Sequence, residues 1–140
     1  MSEADFLRET RRWLRYAWED LSAAAATLDE EEVLPRHVCW LAQQAAEKTL
    51  KAVLIYQQIE YPRSHDLDML RNLVPDDWRL KVEHPDLAGL TEWAVEARYP
   101  GDWPEAVEAD ARVAVRQAQA LWDSVRADLM QHGFMLESPL

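Results

Sequence analysis

Seven apolar residues in the last third of the chain, Val107, Ala111, Ala114, Ala118, Leu121, Val125 and Leu129, recur at steps of four and three. Only an α-helix, at about 3.6 residues per turn, brings such a series onto one side, whereas a half-buried strand needs strict alternation. The spacing predicts a long amphipathic helix from Pro104 to a stop at Gly133. Leu14, Ala17, Leu21, Ala24 and Leu28 predict another over residues 3–29, with Ser2 as its N-cap and Asp5 in its first turn. After the acidic run Asp29–Glu32, Pro35 opens a helix that runs to about Glu60. Its apolar face is broad, with Val38, Leu41, Ala45, Ala52 and Val53 in one row and Cys39, Ala46 and Leu50 in a second, as suits a central element.

Ser64 is read as the cap of a short helix carrying Leu67, Leu70 and Leu73, and residues 76–84 as irregular, anchored by Trp78. Pro85 opens a fourth main helix that ends before Pro100, which cannot continue it. No stretch alternates like a strand. The expectation is an all-α fold, an antiparallel up-down bundle of four main helices plus one short helix. Residues 1–134 form one domain, and residues 135–140 a flexible tail.

Composition narrows the function. With 15 Lys and Arg against 26 Asp and Glu the net charge is −11, which opposes general coating of nucleic acid but leaves room for a local basic patch. Three glycines make no phosphate-cradling loop, and the lone Cys39 allows neither an internal disulfide nor a cysteine zinc site. His37, His65, His84 and His132 include no i, i+4 pair, so no metal site and no cofactor is expected. No apolar run approaches the roughly 20 residues of a membrane span, and the expected location is the cytoplasm. Among the seven tryptophans, Trp13 and Trp18 flank the main stripe of the first helix and offer a face to a second subunit, so a homodimer is expected.

Four constellations could carry chemistry. Arg8, Arg11, Arg12 and Arg15 share one helix face, where guanidinium forks suit phosphate or an acidic partner, or where they are simply solvated. Lys48 and Lys51 could hold an anion, although Glu47 with Lys51 also reads as a plain i, i+4 ion pair. His65, between Ser64 and Asp66, could donate to phosphate or act as acid or base, or merely pack. Arg98 and Tyr99, before Pro100, could pair a charge with a stacking ring, or Arg98 could only neutralise a helix terminus.

The segments Ala42-Gln43-Gln44-Ala45-Ala46-Glu47-Lys48-Thr49-Leu50-Lys51-Ala52, Ser64-His65-Asp66-Leu67 and Ala97-Arg98-Tyr99-Pro100, in that order, resemble the HEPN family, the higher eukaryote and prokaryote nucleotide-binding domain. The resemblance covers about residues 5–130. It implies a helical up-down bundle, commonly dimeric, often encoded beside a minimal nucleotidyltransferase in a toxin–antitoxin-like pair. Some members are metal-independent ribonucleases, with an Arg, four to six residues and a His near the start of the last long helix. In this chain Arg98 takes that place, but Tyr99 follows it and no His occurs between Gly101 and Glu108. The spacing also occurs at Arg79–His84 and Arg126–His132, both outside that position. The expected function is therefore a non-catalytic member that binds nucleotide or RNA phosphate, a nucleotidyltransferase partner, or both. Lys48, Lys51, His65, Arg98 and Tyr99 are its anion contacts, meeting in one hollow. The alternatives are a ribonuclease toxin using His65 and Arg98, and a purely structural interaction module.

Overall fold

A computed structural model of the chain describes residues 1–136, and six helices account for most of them: α1 (Glu3–Thr27), α2 (Pro35–Tyr56), α3 (Leu67–Asn72), α4 (Leu80–Glu83), α5 (Ala88–Glu96) and α6 (Glu108–Gln131). No strand occurs among the described residues. Side-chain ties fix the directions. Lys48 on α2 meets Asp20 on α1, Arg36 near the start of α2 donates to the Ala97 carbonyl after α5 (3.5 Å), and the Tyr56 hydroxyl at the end of α2 donates to the His132 carbonyl after α6 (3.0 Å). So α1, α2, α5 and α6 alternate in direction, as an up-down bundle requires.

The helix ends follow local chemistry. Ser2 and Asp5 form a reciprocal capping box on α1. α2 stops at Tyr56, short of the expected Glu60, because Gln58 turns left-handed (φ 56°). The Gln58 and Ile59 amides then close back on the Ile55 and Leu54 carbonyls, 3.0 and 2.8 Å away, in a Schellman motif. The same motif ends α6, where Gly133 (φ 85°) lets Phe134 donate to Leu129 (2.9 Å) and bury its ring. Asp66, not Ser64, caps α3 by accepting from the Met69 amide at 3.1 Å, while Ser64 supports Asp66. α5 begins at Ala88 rather than Pro85. α6 begins at Glu108 rather than Pro104, where Asp110 reaches back to the Val107 amide (2.9 Å).

The segment expected to be irregular contains the single-turn α4. Buried Asp128 of α6 accepts from the Leu80 amide (2.8 Å) and so supplies the cap that the local sequence lacks. Leu136, expected in the loose tail, packs against the core; the tail's residues 137–140 lie outside the described residues.

α2 is the central element and packs against α1, α3, α5 and α6. Many of the buried residues on α1, α2 and α6 are small: Ala17 and Ala24, Ala42, Ala45 and Ala52, and Ala111, Ala114 and Ala118. Larger side chains such as Leu14, Leu50 and Leu121 fill the spaces between. Cys39 is fully buried, and burial pushes its thiol up to about 12, so it serves as a small core residue rather than a nucleophile. Leu50 is fully buried, and Leu50→Ala is expected to cost about 2–5 kcal/mol in urea unfolding. A loss under about half a kcal/mol would show that α2 is not the central helix.

Candidate functional site

The five residues expected to line one hollow lie in three places. Lys48 is taken up by Asp20 across the α1–α2 seam. Lys51 and His65 both converge on Glu47, whose side chain is only 8 % exposed. Lys51 Nζ lies 2.9 Å from its Oε2, and His65 Nδ1 donates to its Oε1 at 2.7 Å. Gln43, fully buried, completes the knot by bridging Glu47 Oε1 (3.3 Å) and the His65 carbonyl (3.2 Å). Burial alone would raise the Glu47 carboxyl. The hydrogen bonds from Lys51 and His65, with the Lys51 charge and Gln43 behind them, hold it below the ordinary glutamate range. The knot ties the segment after α2 to the middle of α2, and it closes on itself electrically. Tyr61 lies beside it, its ring 5.6 Å from Lys51 Nζ.

Arg98 and Tyr99 sit elsewhere, in a hollow of about 410 Å³ lined also by Arg36, Trp103, Glu96 and Glu105. α5 runs back along α2, so this hollow lies at the α2 N-terminus. Arg36 and Glu47 are eleven residues apart on that helix, or about 16 Å along its axis. The expected contacts therefore do not line one hollow: His65 sits on Glu47, whereas Arg98 and Tyr99 lie beside Arg36. Arg98 has no carboxylate partner among the described residues. Its guanidinium lies 5.2 Å from the Tyr99 ring and donates to the Tyr99 hydroxyl at 3.1 Å. Arg36 is held loosely, 3.8 Å from Glu105. Trp103 rests on Gly101, where a Cβ would collide with the indole, so only glycine lets the ring lie flat against the turn.

The other two Arg–His spacings are occupied structurally. His84 Nε2 pairs with the Ser124 hydroxyl (2.8 Å), and burial lowers this imidazole despite Glu83 nearby. His132 stacks on Trp78 with ring centroids 4.1 Å apart. Sequence reasoning missed Gln43, Asp20, Arg36 and Trp103. Gln43 left a usable signal, a polar residue inside the buried rows of α2. Asp20 and Arg36 left none, because their partners are 28 and 61 residues away.

A four-element up-down helical bundle is a scaffold that hosts more than one chemistry, so the fold defines a structural class rather than an activity. The HEPN domain family model matches residues 10–128, and the chain belongs to that family. Among solved structures it is similar to TT1696 from Thermus thermophilus, with a TM-score of 0.72 and 24 % identity over 86 % of this chain and 98 % of that one. It is also similar to ST0689, an archaeal HEPN homologue, with a TM-score of 0.63 and 26 % identity over 84 % of this chain and 95 % of that one. No curated protein matches it. Among the described residues, no helix is long and apolar enough to cross a membrane.

Proposed function

We propose that this HEPN protein binds a phosphate group of a nucleotide or RNA strand in the Arg36–Arg98 hollow without cutting it, and works beside a partner chain of the minimal nucleotidyltransferase kind. The observation that carries the binding site is the pairing of two guanidinium groups with two rings, Tyr99 and Trp103, in one open hollow. Guanidinium forks match phosphate oxygens, and exposed rings accept bases with little sequence preference. Arg98, alone among the four expected cationic contacts, is not already neutralised by a carboxylate. The non-cutting half of the reading rests on the distance from this hollow to His65, since metal-free cleavage needs a base and a positive charge at the same phosphate. The partner half rests on the family resemblance and on the charge of −11, which suits a protein partner better than a long polyanion.

With so acidic a body, only the few phosphates seated in the hollow should contribute. For short single-stranded RNA, followed by fluorescence anisotropy, the slope of log K against log salt is expected to be only about −1 to −2. Arg98→Ala should weaken binding about tenfold or more and flatten that slope, with the unfolding midpoint unchanged. RNA affinity indifferent to Arg98→Ala would refute the site. Specific RNA cleavage that persists in chelator and is lost in both Arg98→Ala and His65→Ala would favour the ribonuclease alternative.

A further inference from the structure

The arginine stripe of α1 does not act as one patch. Arg8 pairs with Asp5, and Arg11 turns inward over the Phe134 ring, 5.1 Å from its centroid. Arg12 and Arg15 instead converge on Tyr16, their guanidinium carbons 5.7 and 5.6 Å from its ring centre. Beside them, between α1 and α2, lies a hollow of about 260 Å³ lined by Glu9, Arg12, Trp13, Tyr16 and Lys48. It is a different place from the Arg98 hollow: Lys48 stands twelve residues beyond Arg36 on α2, about 18 Å along the axis.

We propose that this hollow is a second binding site, for a planar aromatic ring that carries a single anionic group. Its volume falls just below the roughly 300–1,000 Å³ of sites for drug-sized molecules, which fits one ring system and little else. Trp13 supplies an apolar, polarisable wall against which a flat ring gains both burial and stacking. Tyr16 is the positioning residue, because guanidinium groups resting at its ring are held in place before any ligand arrives. The charges set the ligand's own charge. Of the lining cations, Arg12 lies 3.6 Å from Glu9 and Lys48 is matched by Asp20, while Arg15, outside the lining but at the Tyr16 ring, has no carboxylate partner among the described residues, so the surroundings of the hollow carry one uncompensated positive charge. A ligand with one negative charge balances it, whereas a more highly charged one would meet Glu9.

A cyclic mononucleotide, whose phosphodiester carries one charge, and an aromatic carboxylate share this chemistry, and calorimetric titration separates them. Adenosine 3′,5′-cyclic monophosphate, a singly charged phosphodiester, and indole-3-acetate are compared with adenosine, indole, dimethyl phosphate and acetate. The titrations use the Arg98→Ala chain, so that binding at the other hollow does not contribute. At least one of the two combined ligands is expected to bind one per chain and at least tenfold more tightly than either of its halves; which one does identifies the anionic group. Tyr16 is 42 % exposed, so Tyr16→Ala should fold normally while losing tenfold or more in this affinity and leaving the RNA affinity of the native chain unchanged. Trp13→Leu, which keeps apolar volume, should lose the advantage of the ring-bearing ligands over the bare anions. The inference is overturned if neither combined ligand outperforms its halves, or if the affinity survives both Tyr16→Ala and Trp13→Leu. Failure here would leave the Arg98 reading standing, because that reading is scored on RNA and on a different side chain.

Discussion

Glu47→Leu is expected to destabilise the protein by about 3–5 kcal/mol at pH 7, because it strands the ammonium of Lys51, whose side chain is only 12 % exposed, and leaves the Gln43 amide and His65 without their acceptor. The double change Glu47→Leu with Lys51→Met should recover much of that loss, since an apolar pair of similar size has nothing left to desolvate. The pH dependence has a defined sign. The Glu47 carboxyl is held below its ordinary value in the folded chain, so its contribution is fully present above the unfolded value of about 4.3 and is lost as pH falls through the lower folded value. Urea unfolding between pH 7 and pH 3 should therefore show the gap between native protein and Glu47→Leu narrowing only below about pH 4.5. A gap that is constant over that range, or a single substitution costing under about 1 kcal/mol, would mean that the buried carboxylate does not hold the knot together.

The second large effect is expected at Trp78. Its side chain is 1 % exposed, stacked on His132 and edge-on to Tyr56, with ring centroids 6.1 Å apart for the latter pair. Trp78→Ala should cost about 3–5 kcal/mol, chiefly through the cavity left where the end of α2, the end of α6 and the segment before α4 meet. Trp78→Phe should retain more than half of the lost stability, because most of the apolar volume returns. Near-native stability of Trp78→Ala in urea would place the ring outside the core.

Much of the architecture was legible because it rests on short-range rules. The steps of three and four in α1, α2 and α6, Ser2 at the first cap and Gly133 at the last stop are local signals, and each marks a helix or an end that the structure contains. The misplaced ends depend on particular atoms instead. Gln58 enters the left-handed region without being glycine, so nothing in its type announced the end of α2. α4 exists because Asp128, 48 residues further on, accepts the Leu80 amide. The site was less legible for the same reason. Residue types pointed to Lys48, Lys51, His65 and Arg98 as cations, but whether a cation is available depends on which carboxylate folds against it. Asp20 removed Lys48, and Glu47 removed Lys51 together with His65. Arg98 stayed available because the turn after α5 brings no acid into contact with it.

The alanine-rich seams between α1, α2 and α6 have a consequence for how such a scaffold can diversify. Where rows of alanine are this fully buried there is little slack to absorb a bulkier side chain, since interiors are packed like crystals of small molecules. Novel recognition therefore has to enter along the outer flanks and in the turns beyond α2 and α5, where a substitution changes what the molecule touches without prying its rods apart. The central seam is the part of the sequence with least freedom to drift, and the rim is where relatives of this chain can come to differ in what they hold.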